Sequence, residues 1–282
     1  MAEWWVRGKP FAGRGHAPKL MAVLNVTPDS FSDGGSFVAI EAAVDHALRL
    51  EDQGADLIDI GGESSRPGAT PVPLDEERRR VLPVLEALEG RLSVPISIDT
   101  MKPELARAAI ERGASILNDI GGLRDPAMLE LAVSTGTSVV IMHMAGTPQT
   151  MQLDPVYDDV VEAVLGYLAA QVSTAEAAGL ARTKIALDPG IGFGKTAAHN
   201  VAILRDLERF DTLGCSILVG LSRKRFIGAV TGRPIDDRLI GSVVASLASV
   251  YHGAAVVRVH EPGPMLDAIR IWDTLVGWSE RS

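Results

Sequence analysis

Eight short apolar runs, each with a polar residue at or beside its end and followed by a stretch of helical period, constrain this chain more than any other feature. They lie at about 20–25 (LMAVLN), 56–60 (DLIDI), 95–99 (PISID), 115–119 (SILND), 138–143 (SVVIMH), 184–188 (KIALD), 216–221 (SILVGL) and 255–260 (AVVRVH). Short runs apolar on both faces suit strands covered on both sides, as in parallel sheets. Between them, Ile40, Ala43, Val44, Ala47 and Leu48 fall on one helical face, and Gly54 closes that helix. Leu105, Ala109 and Ile110 repeat the pattern before Gly113, and Val160, Val161, Val164, Leu165, Leu168 and Val172 form a longer stripe ending near Gly179. Eight strands alternating with eight helices, without a linker, predict an α/β fold: a single (β/α)8 barrel over residues 19–282, preceded by an N-terminal extension over 1–18.

An open doubly wound sheet is the alternative. In that fold only the strands near the switch point carry ligand groups. Here Asn25, Asp59, Asp99, Asn118, His143, Asp188, Ser222 and His260 stand at the strand exits all along the chain. That distribution favours a barrel with its site at one face.

The densest exit is Leu187-Asp188-Pro189-Gly190-Ile191-Gly192-Phe193-Gly194-Lys195-Thr196. It sets a carboxylate at a strand end beside three glycines, where a backbone can approach a small ligand closely. It is not a phosphate-binding P-loop, since only three residues separate Gly190 from Gly194. It is not a dinucleotide fingerprint either, because G-x-G-x-G lacks a residue of G-x-x-G spacing.

The net charge of −9 argues against a nucleic-acid binder. An anionic substrate stays possible, because a few arginines reverse the potential inside a cleft. The single cysteine, Cys215, forms no intrachain framework, fits a reducing compartment and reads as a small packed or partly exposed thiol. No run reaches the apolar length of a membrane span, and the first 19 residues, with Trp4 and Trp5, hold no apolar core of signal-peptide length. A cytoplasmic protein with neither nucleic-acid nor membrane partner is expected.

Two strand-to-helix connections, 25–35 and 61–71, are longer than a barrel needs and rich in Gly, Pro and hydroxyl residues. They read either as ordinary exposed loops or as mobile lids that bring Phe31 and Arg66 to a bound substrate.

The ordered set of motifs resembles the dihydropteroate synthase family over about residues 19–275. Leu24-Asn25-Val26-Thr27-Pro28-Asp29-Ser30-Phe31-Ser32-Asp33-Gly34-Gly35 is similar to the first signature, and Gly61-Gly62-Glu63-Ser64-Ser65-Arg66-Pro67-Gly68-Ala69 to the second. Ser97 through Thr100, Asn118-Asp119, Met142-His143-Met144, Leu187 through Thr196, Gly220 through Lys224 and Arg258 through His260 follow in order. The resemblance implies the condensation of 6-hydroxymethyl-7,8-dihydropterin diphosphate with p-aminobenzoate, with Mg2+ as cofactor and pyrophosphate released. It also implies sulfonamides as mimics of p-aminobenzoate.

The implied residue roles fit the chemistry of those substrates. A flat pterin presents donors and acceptors along one edge. The resemblance sets Asp99, Asn118 and Asp188 against its ring nitrogens and Lys224 against its carbonyl. Met142, Phe193 and Gly220 line it, and the Arg258 guanidinium stacks on its face. Arg258 and His260, two apart on the last strand and so on one face, take the diphosphate with Asn25, which also offers Mg2+ its amide oxygen. Phe31, Ser65, Arg66, Pro67 and Ser222 form the p-aminobenzoate pocket, with the following helix N-terminus and Arg223 beside it. Asp99, Lys224, Arg66 and Asp33 are the expected catalytic set, Asp33 acting from the first loop. His143 reads as a core or supporting histidine.

The aryl amine is unprotonated at neutral pH, so the reaction needs no covalent protein nucleophile. A dissociative substitution is expected, with pyrophosphate leaving first and Asp99 stabilising the cation that forms. Gly121, Ala145, Arg225 and Glu261 depart from the usual family pattern without removing a proposed ligand group. A pterin barrel that hands methyltetrahydrofolate to a corrinoid methyltransferase is a rival reading, as is a non-catalytic pterin-binding paralogue. The intact loop residues and the Asn25 and Arg258 positions speak against both. The resemblance implies a homodimer through the last helices, where Ala245, Leu247, Ala248 and Tyr251 lie, although that stretch also suits barrel packing.

Overall fold

The structure is a computed structural model that describes residues 2–13, 16–27, 36–66 and 68–276. A short antiparallel hairpin, β1 (Trp4–Val6) and β2 (Lys9–Ala12), precedes the barrel. The eight barrel strands are β3 (Lys19–Asn25), β4 (Leu57–Gly61), β5 (Ile96–Asp99), β6 (Ile116–Asp119), β7 (Ser138–Met142), β8 (Ile185–Asp188), β9 (Ser216–Gly220) and β10 (Ala254–Val259). Each pairs in parallel with its neighbours, and β10 returns to β3 to close the ring. The eight apolar runs are thus the eight staves of the expected (β/α)8 barrel.

Side chains alternate along each strand. Leu20, Ala22 and Leu24 of β3 face the helices, as do Ile58 and Ile60 of β4. The opposite set turns inward. At the N-terminal end of the strands the inward residues are apolar: Met21, Leu57, Ile116, Val140, Ala186, Leu218 and Val256. One step of two residues further along, β4, β6, β8 and β10 turn polar, to Asp59, Asn118, Asp188 and Arg258. The same period that builds the core therefore builds a polar mouth above an apolar floor.

The hairpin belongs to that floor. Trp4 is fully buried against the apolar layer, and its indole N–H donates to the Lys184 carbonyl at 3.1 Å. Ser138 and Ser216, the first residues of β7 and β9, donate to the carbonyls of Trp5 and Ala2. Trp4 thus plugs the bottom of the barrel, while half-buried Trp5 turns its indole N–H to Glu3.

Among the described residues the strands are followed by α1 (Ser36–Asp52), α2 (Leu74–Leu88), α3 (Pro103–Ile110), α4 (Pro126–Thr135), α5 (Val160–Ala177) and α6 (Ala197–Arg205). Asp125 and Asp159 cap α4 and α5 with their carboxylates. Where one helix was expected after β9 there are two, α7 (Arg225–Thr231) and α8 (Leu239–Tyr251). Gly232 ends α7 in a left-handed conformation, φ 71°, and Pro234 prevents its continuation. After β10 comes α9 (Pro262–Val276). Cys215 is buried, and burial pushes its thiol up to about 12, so it is the inert packed residue expected.

Candidate active site

The strand exits open into one cavity of about 860 Å³ at the C-terminal face of the barrel. From the expected pterin set, Asp99, Asn118, Met142, Asp188, Phe193, Gly220, Lys224 and Arg258 all line it. Asn25, His260, Ser65, Arg66 and Ser222 line it as well. Phe31, Asp33 and Pro67 lie outside the described residues.

An ion network organises its floor. Arg258 Nε donates to Asp59 Oδ2 at 2.7 Å, and its Nη2 donates to Asp99 Oδ2 at 2.8 Å. Asn118 Nδ2 donates to the same Asp59 oxygen at 3.1 Å, which fixes the way the amide faces. Two buried carboxylates share one guanidinium. Burial, and then the Asp59 charge, push Asp99 up to about 7. Asp99 does not cap the following helix, whose N-cap position is Lys102 without a side-chain capping bond, and Asn118 joins the ion network.

Asp188 sits where β8 ends. Its Oδ1 accepts the Gly190 N–H at 2.7 Å, and burial raises its pKa against that bond and the charge of Lys224. Lys224 Nζ stands 4.1 Å from the centre of the Phe193 ring. Burial lowers Lys224 to about 8. One wall of the cavity thus carries a carboxylate, an ammonium and an aromatic face, which can hold a flat heterocycle with a donor edge and a carbonyl.

The β9 exit is held from outside. Arg223 takes a left-handed backbone, φ 59°. Its N–H donates to Ser242 Oγ at 2.9 Å, and its carbonyl accepts from Arg238 at 3.1 Å. Such a conformation in a non-glycine residue persists only where its surroundings impose it. The Arg223 side chain pairs with Glu261. The turn presents Ser222, whose Oγ meets His260 Nδ1 at 2.9 Å. Burial, and then the charge of Arg258, hold His260 down at about 3. His260 is therefore a neutral hydrogen-bonding ring, not a second cation beside Arg258.

The second loop is rooted in α2. Arg80 donates to the Gly62 carbonyl at 2.9 Å, while Lys102 bridges Glu63 and the fully buried Glu77. A side chain at Gly62 would stand 2.8 Å from Glu77 Cγ, so only glycine lets α2 close on the loop root. Ser65 and exposed Arg66 then reach over the cavity rim.

Two residues of the site escaped the sequence reading. Asp59 was visible as a polar strand end, and its role as common acceptor for Arg258 and Asn118 was not. The signal was its position two residues after Leu57, which turns it inward. Lys195 was seen only as part of the glycine motif, yet it is buried among loop carbonyls. His143 is buried against it, Nδ1 to Nζ 2.9 Å, in the supporting role expected.

A barrel whose mouth carries buried carboxylates, an amide, an ammonium and an aromatic wall belongs to the pterin-binding enzymes, and the model of the family "Pterin binding enzyme" matches residues 21–260. The dihydropteroate synthase of Escherichia coli K12 is 44% identical over 263 residues, 93% of each chain. The structure of Xanthomonas albilineans dihydropteroate synthase with 4-aminobenzoic acid superposes with a TM-score of 0.88 at 47% identity, covering 93% of this chain and 94% of that one. That of the Yersinia pestis enzyme with a sulfonamide drug gives 0.90 at 41%, covering 98% of this chain and 99% of that one. The chain belongs to the dihydropteroate synthase family and is a transferase of folate biosynthesis.

Proposed function

We propose that the family's condensation, 6-hydroxymethyl-7,8-dihydropterin diphosphate with p-aminobenzoate to 7,8-dihydropteroate and pyrophosphate, runs at this mouth as a dissociative substitution. The observation that carries the residue assignment is the convergence of Asp99, Asn118, Asp188, Lys224 and Arg258 on one cavity.

Asp188 and Asn118 accept from and donate to the pterin edge, and Lys224 donates to its carbonyl oxygen. Met142 and Phe193 enclose the ring, and Gly220 leaves room for it. Arg258, held in place by Asp59 and Asp99, faces both the ring and the diphosphate, while neutral His260 offers the diphosphate a hydrogen bond. The bond from the exocyclic methylene to the diphosphate oxygen breaks first, and the electron pair leaves with pyrophosphate. Asp99 stabilises the positive charge left on the pterin. The amine of p-aminobenzoate then bonds to the methylene carbon and sheds one proton. Ser222, Ser65 and Arg66 hold the carboxylate of p-aminobenzoate, with Phe31 and Pro67 completing that pocket and Asp33 acting from the first loop. Sulfonamides, one of which is bound in the Yersinia pestis complex, would occupy the same place as p-aminobenzoate.

Pyrophosphate release in this family uses a metal ion, and we assign Mg2+. Among the described residues no three His, Cys, Asp or Glu side chains stand together to hold it. Asn25, lining the cavity at the β3 exit, fits one side-chain ligand of an ion that takes its other oxygens from diphosphate and water. When bound, such an ion neutralises charge on the departing pyrophosphate.

The catalytic unit is residues 19–282, with 1–18 as the extension. The assembly is a homodimer. α8 turns Ser242, Ser246 and Ser249 inward and exposes Ile240, Val244 and Tyr251, next to exposed Ile271 and Leu275 of α9. An apolar face outward on an amphipathic helix calls for a partner. No described helix is long and apolar enough to cross a membrane, and the site of action is the cytoplasm.

The test is pyrophosphate release by the purified protein with dihydropterin diphosphate and Mg2+, with and without p-aminobenzoate. Release that requires p-aminobenzoate and yields dihydropteroate supports the reading. Tight pterin binding without turnover would move it to a non-catalytic paralogue. Arg66→Ala should abolish turnover while pterin binding survives. Positional isotope exchange within the bound diphosphate, in the absence of p-aminobenzoate, tests the dissociative step; its complete absence would exclude reversible departure of pyrophosphate.

A further inference from the structure

The loop between β8 and α6 is held by more polar contacts than a surface turn needs. Gln152 Nε2 donates to the Gly192 carbonyl and Tyr157 Oη to the Gly194 carbonyl, both at 2.8 Å. The Gly192 N–H donates to Asn200 Oδ1 at 2.8 Å. The Gly190 and Phe193 carbonyls turn inward onto one atom, Lys195 Nζ, at 2.9 and 3.0 Å. The carbonyl of His143 lies 3.4 Å from the same nitrogen and His143 Nδ1 2.9 Å. Lys195 is 3% exposed, and among the described residues its ammonium bonds only these carbonyls and the His143 ring, with no carboxylate.

A buried ammonium without a bonded counter-ion is costly and persists where its surroundings need it. Here it does two things. It draws together the carbonyls at both ends of the turn that carries Phe193, so the ring's position follows from the lysine. Burial lowers Lys195 to about 7, and its protonated form sets positive charge near Asp188, whose ionised form burial opposes and Lys195 and Lys224 favour. The contact is exclusive, because a side chain at Gly190 (φ 69°) would lie 1.9 Å from the His143 carbonyl oxygen. The His143 ring, held neutral at about 3 by burial and the lysine charge, keeps Nδ1 free to accept.

We propose that Lys195 is a positioning residue for the pterin half of the site, acting through the carbonyl cage that fixes Phe193 and through its charge on Asp188. This rests on the assignment of Asp188 and Phe193 to the pterin. It makes Lys195 specific to one of the two substrates, since none of its partners is assigned to the p-aminobenzoate pocket.

Lys195→Met keeps the unbranched apolar stem and removes the ammonium. We expect kcat/KM for dihydropterin diphosphate to fall at least tenfold while KM for p-aminobenzoate changes less than twofold. A merely structural lysine would lower the midpoint of unfolding and leave that ratio of effects near one. Equal changes for both substrates, or none for either, overturn the proposal. Asp188→Asn is the control: if it too leaves the pterin KM unchanged, the pterin assignment itself has failed. If Asp188→Asn raises that KM and Lys195→Met does not, only the Lys195 proposal falls. Should Lys195→Met not fold, His143→Phe, which keeps a ring and deletes one acceptor, decides. A threefold or larger rise confined to the pterin KM supports the proposal, and an unchanged pterin KM overturns it.

Discussion

Asp59 and Arg258, 199 residues apart in sequence, meet at 2.7 Å on the floor of the cavity, and Asp59 has no exposure to solvent at all. The pair fixes the guanidinium through Nε, while Nη2 goes to Asp99 and the other N–H groups are left for a ligand. Removing one partner of such a pair leaves a buried charge poorly compensated. Asp59→Asn should therefore cost about 3 kcal/mol of stability and lower turnover, because Asn118 and Arg258 lose a common acceptor. Urea unfolding at neutral pH checks it; a loss below about 1 kcal/mol would show that Asp99 alone suffices for Arg258.

The shared guanidinium also sets a pH dependence. Asp99 titrates at about 7 in the folded protein against 3.8 as its ordinary value, chiefly through burial. A carboxyl whose folded pKa is raised contributes stability that is complete below the ordinary value and is lost as pH rises through the folded one. Relative to Asp99→Asn, the protein should thus lose stability between about pH 4 and pH 7 and change little above. Unfolding free energies of both proteins across that range are the measurement, and a flat difference would count against a raised Asp99.

Lys224 works in the opposite sense. Burial lowers it to about 8, and only the protonated form donates to a pterin carbonyl. The pterin kcat/KM should fall as pH rises through about 8. In Lys224→Arg, where the group stays charged, that alkaline limb should vanish even if the rate itself is lower. A limb that stays in place would assign it to another group.

Trp4 is a stability residue remote from the chemistry. Trp4→Ala opens a cavity under the barrel and deletes the bond to the Lys184 carbonyl, so a loss of about 3–5 kcal/mol is expected. Both KM values should stay within twofold, since the residue lies at the opposite end of the strands. Raised KM values at unchanged stability would contradict the plug.

The exposed face of α8 predicts an assembly. Ile240→Asp combined with Val244→Asp should convert a homodimer to monomer in sedimentation at micromolar concentration. An unchanged dimer would place the contact elsewhere, and a monomeric parent protein would remove the assignment.

The barrel was readable because its signals are local. Eight apolar runs need only a strand's length of sequence to declare themselves, and the helices between them declare a period of 3.6 in the same way. The polar residue at each strand end was local too, and Asp99, Asn118, Asp188 and Lys224 all face one cavity. The sequence by itself also ruled out a P-loop at Gly190–Gly194, from spacing alone.

What only the tertiary structure decided depends on neighbours far along the chain. Asp59 became the keystone of the ion network because β4, β6 and β10 bring three side chains to one point. Lys195 became a buried ammonium because Gly190, Phe193 and His143 turn carbonyls toward it. His260 lost its charge and Asp99 gained a proton affinity near neutrality because burial penalises the ionised form, a property no single residue carries. Trp4 took its place under the barrel because eight strands closed a ring that needed an apolar floor. Periodicity is written in the order of residues, whereas solvation and charge coupling arise only when the folded chain excludes water.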